Sequence, residues 1–162
     1  MIHLRAASLD DTHAIAAAVA GMARSGDLVV LAGEMGAGKT AFAQGFGAAL
    51  GVTEPITSPT FTLVHTYDTP GRITLHHADI YRLGSHHEVA DLALGELLEA
   101  DGIVLVEWGD VVGSSLGDHL VVELAHDPAD ESARLVTLRA VGHTWATRWE
   151  RLEALTQRFA VG

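Results

Sequence analysis

The stretch LVVLAGEMGAGKT, at residues 28–40, decides the fold of this chain. Its first five residues are all apolar, which predicts a short strand that is buried on both faces of a sheet. Three glycines follow and predict a tight loop, after which residues 39–50 predict a helix that ends at Gly51. A strand, a glycine-rich loop and a helix in this order predict an α/β fold.

The loop carries the complete pattern G-x-x-x-x-G-K-T. In such loops the backbone N–H groups surround nucleotide phosphates, the lysine reaches the β- and γ-phosphates, and the hydroxyl binds Mg²⁺. Lys39 is moreover the only lysine of the chain. The alternative, an accidental glycine-rich turn, does not account for the flanking strand and helix. We therefore predict a phosphate-binding loop made of Gly33, Glu34, Met35, Gly36, Ala37, Gly38, Lys39 and Thr40.

The composition favours ATP over GTP as the nucleotide. Guanine recognition in the common GTPases uses an Asn-Lys-x-Asp motif, and the chain has no second lysine to supply one. We therefore predict ATP, together with Mg²⁺, as the ligand of the loop.

Two acidic residues follow apolar segments and are candidates for the metal site. Glu107 comes directly after the apolar residues 103–106, whereas Asp79 ends a segment, residues 73–79, that His76 and His77 interrupt. Phosphate-loop enzymes need an acid at the end of a neighbouring strand to hold Mg²⁺ and to orient the attacking group. The spacing does not decide which of the two acids belongs to the metal site, and both can belong to it. The alternative for each is a solvated carboxylate at the end of a strand.

The tripeptide Ser58-Pro59-Thr60 lies between the loop helix and the next predicted strand. Switch loops occupy this position in many phosphate-loop proteins, so the hydroxyls of Ser58 and Thr60 are candidates for sensing the γ-phosphate. The alternative is a simple turn in which Pro59 fixes φ.

The remaining pattern predicts a mixed sheet between helices in one domain that spans residues 1–162. We expect a phosphate-loop NTPase-like, three-layer fold with parallel and antiparallel strands. Besides the strands above, the predicted elements are a strand at residues 2–6, a helix that Ser8 caps and Gly26 stops, an antiparallel pair at 61–67 and 72–78, one or two short helices at 85–100, and a further strand pair at 119–125 and 134–140.

The end of the chain is predicted to be helical. Trp145, Trp149, Leu152, Leu155 and Phe159 have the spacing of one helix face, which favours packing on the sheet over a docking surface. The opposite, solvated face is predicted to carry Arg148, Arg151 and Arg158.

Composition and charge argue against several classes of protein and of site. The 162 residues include 21 acidic and 10 basic ones, a formal charge of −11, which argues against a broad nucleic-acid-binding face. No cysteine is present, which excludes disulfides and thiolate metal sites, and no apolar run has the length of a membrane helix.

The histidine pairs 76–77 and 86–87 are not expected to chelate a metal, because adjacent strand residues point to opposite faces. We expect a cytoplasmic protein without a membrane anchor.

Four segments carry a more specific signal when they are taken in order. They are GEMGAGKT at 33–40, SPTFTLV at 58–64, HADIYRL at 77–83 and LVEW at 105–108. Their order and spacing resemble those of the TsaE (YjeE) family across residues 8–125. The resemblance implies an ATPase that is weak alone and works with the proteins TsaB and TsaD, the latter of which transfers a threonylcarbamoyl group to the tRNA adenosine beside the anticodon. Contact with tRNA is expected only through that complex.

The resemblance also implies roles for individual residues. Thr40 and Glu107 are implied as magnesium ligands, and Ser58 and Thr60 as a nucleotide-sensing switch. Trp108 is implied to lie near the nucleotide. Asp79 is implied as a residue needed for hydrolysis. Together with the loop, these assignments predict three catalytic residues, which are Lys39, Asp79 and Glu107.

Two other functions remain open from the residues. A small-molecule or nucleotide kinase has the same loop, but such enzymes carry an arginine-bearing lid, and residues 83–98 contain no arginine. A switch that binds ATP without productive hydrolysis differs from an ATPase only in turnover.

Overall fold

The computed structural model describes residues 1–34, 36–57, 64–71, 73–79, 102–108 and 117–161, and for Asp79 and Trp108 it describes the backbone alone. The described elements, in chain order, are β1 (Ile2–Ala6), α1 (Leu9–Met22), β2 (Leu28–Ala32), α2 (Lys39–Leu50), β3 (Val64–Asp68), β4 (Thr74–Asp79), β5 (Gly102–Trp108), β6 (His119–Asp127), β7 (Asp130–Val141), α3 (Trp149–Leu155), and two 3₁₀ turns, Ala146–Arg148 and Gln157–Phe159.

The described strands form one mixed sheet in the order β1-β7-β6-β2-β5-β4-β3. The four central strands β6, β2, β5 and β4 are parallel, while β3, β7 and β1 each pair antiparallel with their neighbours. The carboxyl ends of β2, β4 and β5 therefore lie at one edge of the sheet, where α/β proteins place their ligand sites. The predicted mixed α/β fold is confirmed.

Helix α1 begins as predicted but ends earlier. The Ser8 side chain accepts a hydrogen bond from the Asp11 backbone N–H at 3.3 Å, so Ser8 is the N-cap. The helix ends at Met22, four residues before Gly26, because Ala23 is already extended. The Asp27 carboxylate then accepts a bond from the Arg24 N–H at 2.7 Å and closes the turn.

The two predicted hairpins are present with corrected bounds. Strands β6 and β7 extend beyond the predicted ranges to Asp127 and from Asp130, because polar residues outside the core continue the ladder and an apolar pattern does not detect them. Residues 61–63 and residue 72 of the first predicted hairpin lie outside the described residues, as do the predicted helices at 85–100.

The prediction for the chain end is wrong in two respects. Leu155 is 46% exposed, and Arg148 is only 4% exposed instead of lying on a solvated face. The cause is the pair of 3₁₀ turns that flank the short helix α3, since their tighter winding changes the phase on which a single helical stripe depends. Trp145, Leu152 and Phe159 are buried as predicted.

The apolar core lies between the sheet and the helices α1, α2 and α3. Of the helices that the structure describes, none has both the length and the apolar character needed to cross a membrane.

Candidate nucleotide-binding site

The loop between β2 and α2 depends on glycine geometry. Gly33, Gly36 and Gly38 have φ values of +152°, +81° and +109°, all in the region that favours glycine. At Gly33 a Cβ atom would also collide with the backbone oxygen of Leu124 on β6. The loop therefore passes too close to β6 for any residue with a side chain at position 33.

The start of α2 presents an anion-binding end. Gly38 is its N-cap and has no side chain to accept a bond from the first N–H groups of the helix. The unpaired N–H groups and the helix dipole together favour a negative charge in front of the helix. Lys39, the first helical residue, donates through Nζ to the carbonyl oxygen of Gly33 at 2.7 Å, so its ammonium group lies across the loop.

The remaining predicted residues of the loop include Glu34, Met35 and Ala37. Ala37 is 1% exposed, and its N–H donates to the Glu34 carbonyl at 3.0 Å, which forms the turn inside the loop. The Glu34 side chain is exposed. Met35 lies outside the described residues, and so do Ser58 and Thr60.

The two predicted metal ligands are in contact. Thr40 stands in the first turn of α2, and Glu107 pairs with Leu31 in the ladder between β5 and β2. The Thr40 hydroxyl donates to Glu107 Oε1 at 3.3 Å. Glu107 is 5% exposed, and a carboxylate is rarely so deeply buried unless charged or polar groups pair with it.

Asp79 and Trp108 are brought to the same edge by the strand register. Asp79 is the ladder partner of Glu107 across β4 and β5, so the two candidate acids occupy adjacent positions at the ends of neighbouring strands. The backbone of Trp108 pairs with that of Ala32, one residue before the loop.

His77 contacts this site, and the sequence interpretation missed it. The side chain is fully buried, and its Nε2 lies 2.8 Å from Glu107 Oε2. The contact is bent away from an ideal hydrogen bond, and Glu107 Oε2 has no other partner among the described residues. A signal was available, because His77 precedes Asp79 by two residues and strand alternation places both on one face.

The surroundings keep Glu107 ionised. Burial by itself raises its pKa, but the His77 contact, the charge of Lys39 and the Thr40 hydroxyl lower it, and the net effect is a pKa below the ordinary value for glutamate. Glu107 is therefore a carboxylate at neutral pH, the form that binds a divalent cation.

Arg134 is a second residue that the sequence interpretation missed. It lies on β7, and its Nη2 donates to the carbonyl oxygen of Gly36 at 3.4 Å. Its Nη1 is held by the carbonyl oxygens of Glu131 and Ala133 at 2.7 and 2.9 Å. The β6–β7 hairpin thus adds a second cation beside the loop.

Comparison with known proteins assigns the whole arrangement to one family. A family model described as "Threonylcarbamoyl adenosine biosynthesis protein TsaE" matches residues 6–136. A relative from Bacillus subtilis (strain 168), named tRNA threonylcarbamoyladenosine biosynthesis protein TsaE, is 36% identical over 148 residues, which are 91% of this chain and 91% of the relative. A relative of the same name from Streptomyces coelicolor is 42% identical over 135 residues, 80% of this chain and 90% of the relative.

A solved structure agrees with this assignment. The crystal structure of Bacillus subtilis YdiB superposes with a TM-score of 0.71 at 30% sequence identity and covers 98% of this chain and 97% of that one. The range that the family model matches contains the phosphate loop, both acids, His77 and Arg134. The chain therefore belongs to the TsaE family.

Proposed function

We propose that this chain is a Mg²⁺-dependent ATPase that supports the threonylcarbamoylation of the tRNA adenosine beside the anticodon. The observation that carries the proposal is the contact between Thr40 and Glu107 at the base of a complete phosphate loop. A hydroxyl and an ionised carboxylate at this point are the ligand types that Mg²⁺ prefers, while the loop supplies N–H groups and a lysine for the phosphates. The names of the relatives support the link to tRNA modification.

The described residues fit a nucleotide with its metal. The ionised Glu107 carboxylate presents Oε1 beside the Thr40 hydroxyl, and the N-terminal end of α2 lacks a side-chain cap. In the described ranges no three His, Asp or Glu side chains are grouped as a metal site. Thr40 and Glu107 would hold Mg²⁺ together with the nucleotide, since Mg²⁺ is commonly bound by one or two carboxylates plus substrate phosphates and not by an all-protein cage.

The residues have separate tasks in the proposed reaction. Thr40 and Glu107 would hold the Mg²⁺, which would supply positive charge to the phosphate oxygens. Lys39 stabilises the negative charge that develops on the transferred phosphoryl group, and the N–H groups of α2 do the same. We assign Asp79 to orienting the attacking water, since it is the second acid at this edge. Ser58 and Thr60 are assigned to sensing the γ-phosphate, and Trp108 to contact with the nucleotide.

The partners in this proposal are TsaB- and TsaD-like proteins. The formal charge of −11 suits an indirect relation to tRNA, because a strongly acidic chain repels a phosphate backbone. We also propose a cytoplasmic location and a single ATPase domain over residues 1–162, neither of which the site geometry requires.

ATP turnover by the purified chain, alone and with its TsaB and TsaD counterparts, tests the proposal. We expect slow turnover alone and faster turnover in the complex. Lys39→Ala and Glu107→Gln should each reduce the stimulated rate by about 100-fold or more, because the first removes the cation that stabilises the transferred phosphoryl group and the second removes the carboxylate that would hold Mg²⁺. Glu123→Gln is a matched control, since Glu123 lies on the neighbouring strand β6 opposite Ala32 and contacts neither Thr40 nor His77 in the described structure.

Two results would replace the proposal with one of its rivals. Transfer of phosphate to a small acceptor, with no response to the partner proteins, would identify a kinase. Tight ATP binding with no turnover in any mixture would identify a nucleotide-dependent switch.

A further inference from the structure

His77 is buried in a way that packing alone does not explain. Its side chain is completely inaccessible, and among the described residues its only close polar contact is Glu107 Oε2 at 2.8 Å. A buried imidazole without good hydrogen bonds costs stability, and an apolar side chain of similar size would fill the same space without that cost.

The neighbouring His76 makes a contact that has a structural role on this strand. It is 7% exposed, and its Nδ1 lies 3.1 Å from the Thr66 hydroxyl on β3, while its Nε2 has no hydrogen-bond partner among the described residues. That contact joins two strands of the sheet and is remote from the phosphate loop. The imidazole of His77 is directed instead at the acid that touches Thr40.

Glu107 needs a support of this kind. A glutamate has three rotatable side-chain bonds, and fixing such a side chain costs conformational entropy. Oε1 accepts a hydrogen bond from the Thr40 hydroxyl and Oε2 lies 2.8 Å from His77 Nε2, so the two contacts together restrict rotation of the carboxylate. The support itself is rigid, since His77 is buried in a strand with ladder partners on both sides.

We propose that His77 is a positioning residue, which holds Glu107 in the orientation that presents Oε1 beside Thr40 to MgATP. The inference rests on the proposed function and deepens it, because it identifies which residue orders the predicted metal ligand. Groups that orient metal ligands in this way typically change metal affinity by about 10- to 100-fold when they are removed.

The test measures binding as well as turnover. Binding of the fluorescent nucleotide mant-ATP is followed at increasing Mg²⁺ concentration and, separately, in EDTA. For His77→Leu we expect the half-saturating Mg²⁺ concentration to rise by about 10-fold or more, with binding in EDTA unchanged. His77→Gln places an amide N–H near the position of Nε2 and should recover most of the Mg²⁺ response.

A matched control and a double variant complete the design. His76→Leu removes the adjacent imidazole from the opposite face and should lower stability while leaving the Mg²⁺ response unchanged. If His77 acts through Glu107, then His77→Leu should have no further effect on Mg²⁺ dependence in a Glu107→Gln background.

The possible outcomes separate this inference from the proposed function. A wild-type Mg²⁺ response in His77→Leu, or equal losses in the His76 and His77 variants, would overturn the positioning role and leave the ATPase assignment intact. Absence of any Mg²⁺-dependent binding in the wild type would overturn both. Should His77→Leu fail to fold, His77→Ala replaces it in the same titrations: a higher half-saturating Mg²⁺ concentration that His77→Gln does not share supports the positioning role, and a wild-type response overturns it.

Discussion

Arg134 acts on the phosphate loop from a position 98 residues away in the sequence from its partner Gly36. Its guanidinium group bonds to the loop backbone, and two carbonyl oxygens of its own strand hold the group in place. A fixed cation beside a phosphate site both stabilises the loop and attracts the ligand, and it pays no reorganisation cost when the ligand arrives.

Replacement of Arg134 by alanine should therefore weaken nucleotide binding. We expect a loss of about tenfold, since one hydrogen bond to a charged group contributes about 1.5 kcal/mol. The loss should appear with and without Mg²⁺, in contrast to a change at Glu107, and mant-ATP titration measures both conditions. Arg139→Ala is the control, because it removes the same positive charge from the same strand. The Arg139 guanidinium group lies 3.9 Å from the carboxylate of Glu123. Equal losses in both variants would attribute the effect to net charge alone.

At the level of secondary structure, the contact between α1 and α2 depends on Gly45. A Cβ atom at this position would lie 2.7 Å from the Cα atom of His13 and 3.1 Å from the Cβ atom of Ala16. Both neighbours belong to α1, and a backbone atom cannot move aside as a flexible side chain can. The close approach of the two helices thus requires a residue without a side chain.

Gly45→Ala should lower the free energy of unfolding by about 1–3 kcal/mol, because the overpacking outweighs the gain in helix propensity. Gly21→Ala is the matched variant, since Gly21 lies in α1 with nothing within 4 Å of its potential Cβ. That change should raise the free energy of unfolding by about 0.5–1 kcal/mol. Denaturant titration measures both, and a stabilised Gly45→Ala protein would show that the helices can separate at little cost.

The elements that the sequence predicted best are those whose signals are local. The strand Leu28–Ala32 and the helix Lys39–Leu50 have the predicted bounds, because an apolar run and a glycine at each end specify them. His77 and Arg134 were missed because their roles depend on strand pairing, which brings distant residues together. Arg148 was placed wrongly because no local pattern reveals a partner 121 residues away.

Across the whole molecule, the pair of Arg148 and Asp27 attaches the end of the chain to the beginning of β2. Two hydrogen bonds of 2.6 and 3.0 Å join the guanidinium group to the two carboxylate oxygens, and both side chains are buried. Arg148 also donates to the carbonyl oxygens of Met22 and Thr144 at 2.8 and 2.9 Å and lies over the ring of Trp145. The pair therefore connects α1, β2 and the C-terminal segment.

Arg148→Met should cost about 3–5 kcal/mol of stability, because it leaves the Asp27 charge buried without its partner. The double variant Asp27→Asn/Arg148→Met removes that charge as well and should recover part of the loss. Denaturant titration measures the free energy of unfolding of both variants. A double variant less stable than Arg148→Met would mean that Asp27 acts mainly through its bond to the Arg24 N–H.

The stability of the molecule should also fall as the pH falls below neutrality. Burial lowers the pKa of His76 and His119 from the ordinary 6.5, although for His119 the bond to the Gly117 carbonyl opposes part of the shift. Below pH 6.5 the unfolded chain therefore binds more protons than the folded one, so the stabilisation present above this pH is lost as the pH falls towards the lowered values. His119 Nδ1 lies 2.8 Å from the Gly117 oxygen, and an asparagine amide can keep that bond.

His119→Asn should flatten the decline in the free energy of unfolding between about pH 7 and pH 5, and His76→Asn should do the same through a separate site. The two effects should add, since the residues lie on different strands, β6 and β4, and share no described hydrogen-bond partner. Denaturant titrations over this range measure the slopes of the wild type, both single variants and the double variant. A double variant that declines as steeply as the wild type would assign the acid sensitivity to other groups, because neither buried imidazole would then remain to take up a proton on unfolding.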